Sequence, residues 1–381
     1  MRVCRISVNG KDELAEELKK IGANPASLPF FENRRETLAI LADSMPCAAA
    51  NILKQELLSA GGDAAVHAHA VDCRAEASRV LIFADKKQLA SVCGKLKQMP
   101  WWGFPELADD IKKCSADAVR VRTKIAGIIN LTDDSFYAES RTAVSDAVSR
   151  AKQLVSEGAD LLDLGAESTR PGAERTDESE ELEKIRAVLP EIRAALPDVK
   201  ISVDTTRFSV AKAALEKGAD IINDVSGLAD ENIAKACRDH GSGYVLTHSR
   251  GTSVTMDGMC EYDNILLEIN SFFERKIELA EKTGLKREKI ILDPGFGFAK
   301  NEKQNLYLLK NLCAFRGFGL PLLVGVSRKR FLGAALKAEE RLEATLSATA
   351  LCVLQNVEYV RVHDVAANRR AADFCEALKN A

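Results

Sequence analysis

The 381-residue chain has few extremes, and each shortage removes a class of protein. No apolar run approaches the roughly 20 residues that cross a bilayer, and the opening MRVCRISVNGKDEL lacks an apolar h-region. A soluble, cytoplasmic protein with no membrane partner is expected. Neither charge sign is in excess: 53 Lys+Arg against 56 Asp+Glu leave −3, so no basic field exists to neutralise a nucleic-acid backbone. Nucleic acid is not an expected partner. The ten cysteines include no C-x-x-C pair, and Cys237, Cys352 and Cys375 fall inside apolar helical patterns, which predicts reduced, buried thiols. What is abundant is apolar residue, at 46%, enough to bury one large core or two.

Composition changes near residues 100 to 122. Before it, RVLIFA (79–84) followed by DKKQLASVCGKLKQM reads as a strand and helix, and CAAANILKQELLSAGG as a long helix, giving a small α/β domain over 1–115. PWWGFPELADD, with two prolines and both tryptophans, reads as a connection that packs against something. From about 123 to 381 one theme recurs: a short apolar run, a polar residue at its end, a loop, then an amphipathic helix. Strands are predicted over 125–130, 160–165, 200–205, 220–225, 243–248, 289–295, 320–326 and 358–364. Eight alternating units imply parallel pairing, and the expected fold is an α/β chain with a (β/α)8 TIM barrel behind the small N-terminal domain.

The polar residues fall at the C-terminal ends of these runs: Asn130, Asp163, Asp204, Asn223 with Asp224, His248, Asp293, Ser327 to Lys329, and Arg361 with His363. In a barrel those ends open on one face, where βα loops build active sites. Any one of them also suits a helix N-cap, since Asp, Asn and Ser favour that position. Eight in succession favour a common mouth.

The strings GIINLTDDSF (127–136), LDLGAESTRPGA (162–173), SVDT (202–205), IIND (221–224), ILDPGFGFAK (291–300), GVSRKRFLG (325–333) and RVHDV (361–365) resemble, in order, the motifs of the dihydropteroate synthase family. The resemblance covers roughly 123–381 and implies a Mg2+-assisted transfer. In it, 6-hydroxymethyl-7,8-dihydropterin diphosphate and 4-aminobenzoate give 7,8-dihydropteroate and pyrophosphate. It implies Asp204, Asn223, Asp293, Phe298 and Lys329 around the pterin, with Asp293 taking two adjacent N–H donors of the ring edge. It implies Arg361 and His363 at the phosphates, Asn130 as the Mg2+ ligand, and Thr169 and Arg170 on a loop that closes over the substrate. Asp204, Lys329, Arg361 and His363 would then touch the reacting groups. Family members are commonly homodimers, and a homodimer is expected.

Several positions depart from the family pattern. In the first loop Asp133 stands for a proline and Ala138 for an acid, so Glu139 or Asp134 would have to supply a carboxylate there. Thr247 stands where a methionine often precedes the histidine, and Ala299 replaces a glycine after GFGF. These two are expected to touch packing around the pterin more than its hydrogen bonds. Two rivals stand beside the transferase. One is a pterin-binding module with weakened or lost catalysis, motivated by the altered loop. The other is a methyltetrahydrofolate-dependent corrinoid methyltransferase, which has no use for the SRK and RVH cations. His67-x-His69 reads as part of a solvated strand rather than a metal site.

Overall fold

The computed structural model describes residues 36–116, 119–131, 141–166, 177–251 and 255–379, with short pieces between 14 and 32. It divides into two compact units, Met1–Asp117 and Ala118–Ala381.

In the first unit β1 (Leu38–Pro46), β2 (Asp63–Ala65) and β3 (Ala77–Ala84) form an antiparallel sheet of order β1-β3-β2. Its buried face of Ala42, Val80, Ile82 and Ala84 shares a core with α1 (Cys47–Ser59), α2 (Lys86–Leu96) and α3 (Phe104–Ser115). The α2 helix starts at a capping box in which Asp85 and Gln88 exchange hydrogen bonds. Two expectations are corrected here. The segment containing PWWGFPELADD is not simply a connection: from Phe104 onward it is α3, with Pro105 tolerated in the first turn and Phe104, Ala108 and Ile111 buried in this unit's own core. His67 and His69 lie in turns after β2 ends, not on a strand, and His69 sits 3.5 Å from Asp72.

The second unit alternates strictly. Its elements are β4 (Lys124–Asn130), α4 (Arg141–Ser156), β5 (Leu161–Gly165), α5 (Glu178–Ala195), β6 (Lys200–Asp204), α6 (Phe208–Glu216), β7 (Ile221–Asp224) and α7 (Glu231–His240). They continue with β8 (Gly243–Thr247), α8 (Ile265–Lys282), β9 (Ile290–Asp293), α9 (Glu302–Lys310), β10 (Leu323–Val324), α10 (Leu342–Leu354), β11 (Tyr359–Val362) and α11 (Val365–Lys379). All eight strands pair in parallel in the order β10-β11-β4-β5-β6-β7-β8-β9, and a Leu292 to Leu322 bridge joins the ends. The fold is a (β/α)8 barrel, as the alternation predicted.

Strand alternation sorts the side chains. Residues such as Ile125, Leu162, Ile201, Val203, Tyr244 and Leu292 turn outward into the large core under the helices. Ala126, Leu161, Ile221, Val245, Ile291 and Leu323 fill the barrel interior, with Tyr359 against them. Two residues further along the same strands the inward positions become Ile128, Asp163, Asn223, Thr247, Asp293, Gly325 and Arg361. The apolar plug therefore ends where a polar mouth begins. The buried thiols include Cys237, Cys352 and Cys375 as expected, whereas Cys73, Cys114 and Cys313 are exposed and free of disulfides.

Candidate active site

The mouth is organised around one buried ion triad. Arg361 on β11 donates through Nε to Asp163 on β5 and through Nη2 to Asp204 on β6, the latter at 2.8 Å. Burial works against the Arg361 charge, but the Asp163 and Asp204 carboxylates outweigh it and raise its pKa. Burial also lifts the Asp204 carboxyl, to about 7, against the pull of Arg361 and with the Asp163 charge adding to the rise. Asp204 pairs directly with Asn223 in the parallel register of β6 and β7. Asp204 Oδ1 and Asn223 Oδ1 are both buried and, among the described residues, lack any hydrogen-bond partner.

Asp293 ends β9 before Pro294 and Gly295. Its Oδ1 accepts the Gly295 N–H at 2.7 Å, while burial pushes its carboxyl to about 6 against that bond and the nearby Lys329. Gly295 is required here: its φ is +70°, and a Cβ would stand 2.0 Å from the His248 carbonyl oxygen. Gly297, at φ +79°, lets the loop approach Lys329, whose Nζ lies 4.8 Å over the Phe298 ring. The charges of Lys329 and Arg361 both reach Asp293. His363 Nδ1 is 3.0 Å from Ser327 Oγ, two residues before Lys329. Asp204, Asn223, Asp293, Phe298, Lys329, Arg361 and His363 therefore border one mouth. Asn130 ends β4 with its side chain exposed. Thr169 and Arg170, with Asp133, Asp134, Ala138 and Glu139, lie outside the described residues.

Three features go beyond the sequence reading. Asp163 was visible only as a strand-end acid, yet it holds Arg361 across 198 residues of sequence. Arg328, the middle of the SRK string, does not join the cation cluster but makes a two-pronged bond to Asp364, at 2.9 and 2.5 Å. Lys300 is buried, with Nζ donating to Gly295 O and Phe298 O at 2.9 Å each and meeting His248 Nδ1 at 2.9 Å. Burial lowers Lys300 to about 7 and drives His248 well below its ordinary value, so His248 stays neutral. Asn305 completes the clamp, accepting from Gly297 N–H at 2.8 Å and donating to Lys300 O at 2.9 Å. The apolar spacing around Lys300 gave no sign of this; an isolated lysine after a glycine-rich turn was the available signal.

The sequence profile of the family described as pterin binding enzyme matches residues 126–363. The chain is 40% identical over 178 residues to the dihydropteroate synthase of Synechocystis sp., a match spanning 46% of this chain and 62% of that one. It is 33% identical over 358 residues to the bifunctional dihydropteroate synthase/dihydropteroate reductase of Helicobacter pylori, covering 93% of each. Among solved structures, Xanthomonas albilineans dihydropteroate synthase with 4-aminobenzoic acid superposes with a TM-score of 0.63 at 36% identity, covering 68% of this chain and 94% of that one. With the strand-end residues gathered at one mouth, these matches settle descent: the chain belongs to the dihydropteroate synthase family of pterin-binding enzymes.

Proposed function

We propose that the chain condenses 6-hydroxymethyl-7,8-dihydropterin diphosphate with 4-aminobenzoate to give 7,8-dihydropteroate and pyrophosphate. The observation that carries this is the pair of buried, partnerless acceptors Asp204 Oδ1 and Asn223 Oδ1 on adjacent strands, with Asp293 on the same mouth. A buried acceptor without a partner costs about 1–3 kcal/mol, and a flat heterocycle with an N–H edge removes that cost on binding. The bound 4-aminobenzoic acid of the Xanthomonas relative supports the second substrate.

In the reaction the aniline nitrogen forms a bond to the pterin methylene, the methylene–oxygen bond to the diphosphate breaks, and the nitrogen loses a proton. Asp293 and Asp204 hold the ring. Asp204, with its carboxyl raised, is also a proton acceptor at neutral pH. Arg361 has Nε and Nη2 committed to carboxylates, which leaves Nη1 to meet a departing phosphate oxygen. His363 and Lys329 add donors on the same side, where leaving-group charge develops.

Mg2+ is part of this proposal, with Asn130 as its protein ligand. Among the described residues no group of three His, Cys, Asp or Glu forms a metal cage. One amide oxygen suits a hard cation that arrives with a diphosphate and keeps its waters. Held by Asn130, such a cation would supply positive charge to the leaving group. A homodimer is also proposed: Leu351 and Leu354 on α10 and Phe374 and Leu378 on α11 are exposed apolar residues on neighbouring helices, a surface for a second copy. Exposed cysteines outside any disulfide suit a reducing, cytoplasmic setting, and among the described residues no helix is long and apolar enough to cross a membrane.

Incubation with the diphosphate substrate, Mg2+ and labelled 4-aminobenzoate tests the proposal. Labelled dihydropteroate with stoichiometric pyrophosphate supports it; tight pterin binding without product supports the binding-module reading. A second activity is favoured by one observation, the Helicobacter relative's match across both units and its name as a reductase. Oxidation of a reduced nicotinamide by 7,8-dihydropteroate would reveal it.

A further inference from the structure

We propose that Thr247 determines specificity in the pterin site, its hydroxyl hydrogen-bonding the same heterocycle that Asp204, Asn223 and Asp293 face. This rests on the function proposed above. Thr247 ends β8 between the strands that carry Asn223 and Asp293, and pairs directly with Asp293 in the parallel register. It follows Val245 at inward spacing, and Val245 belongs to the interior plug, so Thr247 sits on the mouth side of that plug.

The side chain is fully buried, yet among the described residues Oγ1 has no hydrogen-bond partner. Its methyl takes the place against the Gly295 turn, 3.3 Å from where a Gly295 Cβ would stand. Buried hydroxyls are normally satisfied. A single orphan is a local oddity, but β6, β7 and β8 offer one each in succession: Asp204 Oδ1, Asn223 Oδ1 and Thr247 Oγ1. Three partnerless polar atoms are buried on consecutive strands at the base of one mouth, which suits a polar edge that reaches them.

The chemistry at this position differs from that of the methionine frequent in the resembled family. A thioether accepts weakly and donates nothing, whereas a hydroxyl donates and accepts. Thr247 therefore favours a ring with nitrogen or oxygen opposite β8. On this proposal its effect is on hydrogen bonding as well as packing, whereas the sequence alone points chiefly to packing.

Calorimetry with 6-hydroxymethyl-7,8-dihydropterin diphosphate, without 4-aminobenzoate, tests this on the full chain. Thr247→Val keeps the shape and deletes the hydroxyl, and should raise Kd about five- to ten-fold, the worth of one hydrogen bond. Thr247→Ser keeps the hydroxyl and should bind within about two-fold of the wild type. The ligand-free melting temperature of Thr247→Val should equal or exceed that of the wild type, because an orphaned group has been removed. Unchanged affinity in Thr247→Val overturns the proposal, and so does a lower ligand-free melting temperature, which would mean the hydroxyl serves the fold. Wild-type protein that binds no diphosphate substrate overturns both this proposal and the function beneath it; a binding wild type with an indifferent valine variant overturns this one alone.

Discussion

Asp163 and Asp204 grip the same cation: Arg361 reaches both, and neither carboxylate is placed to ignore the other's charge. Asp163 therefore contributes to the height of the Asp204 pKa as well as to the position of Arg361. Asp163→Asn removes that like charge while keeping a hydrogen-bond acceptor. The acid limb of kcat/KM that reports Asp204 should move down by about half a unit or more, because a repelling negative charge has gone and Arg361 is left to Asp204 alone. An unmoved or higher limb would contradict the coupling.

Ala299 holds a left-handed backbone, φ 50°, at a buried position where the resembled family carries glycine. A Cβ in that region is strained by about 1–2 kcal/mol, and glycine returns part of the gain as unfolded-state entropy. Ala299→Gly should therefore stabilise the protein by about 0.5–1 kcal/mol, raising its melting temperature by about 1–3 °C in thermal unfolding. A lower melting temperature would refute the strain.

Lys300 is pulled down to about 7 by burial, from an ordinary 10.5. Between those values the folded protein binds fewer protons than the unfolded chain, so this group makes stability rise with pH through that window and adds nothing further below about 7. Lys300→Met lacks the effect. The wild-type advantage over Lys300→Met, measured by denaturant unfolding, should grow by up to about 1.4 kcal/mol per unit between pH 7.5 and 9.5. A flat difference would mean that Lys300 is not held in a low-dielectric site.

Much of the barrel was readable because each strand is apolar, short and closed by a polar residue, and period-two alternation then fixes which of those residues face inward. Asn223, Asp293 and Arg361 follow from that pattern alone. Pairings did not follow. The bond between Asp163 and Arg361 depends on closing the barrel, and the diversion of Arg328 to Asp364 depends on a left-handed backbone at Arg328, φ 57°, that its residue type does not announce. The strand predicted over 320–326 shrinks to Leu323–Val324 because the chain turns at Ser327 and Arg328, where the Lys329 N–H bonds back to the Val326 carbonyl. The turns at His67 and His69 resemble a strand in residue type only.

The claim that one mouth grips a heterocycle with one half and neutralises an anion with the other is tested most directly by comparing two ligands on two variants. Arg361 is a poor probe, since its removal strands two buried carboxylates; His363, half-exposed and bonded to Ser327, is a clean one. By calorimetry, His363→Ala should weaken dihydropterin diphosphate about ten-fold while leaving free 6-hydroxymethylpterin within two-fold, and Asp293→Asn should weaken both by about ten-fold or more. Equal losses of the two ligands in His363→Ala, or no loss of either in Asp293→Asn, would contradict the account.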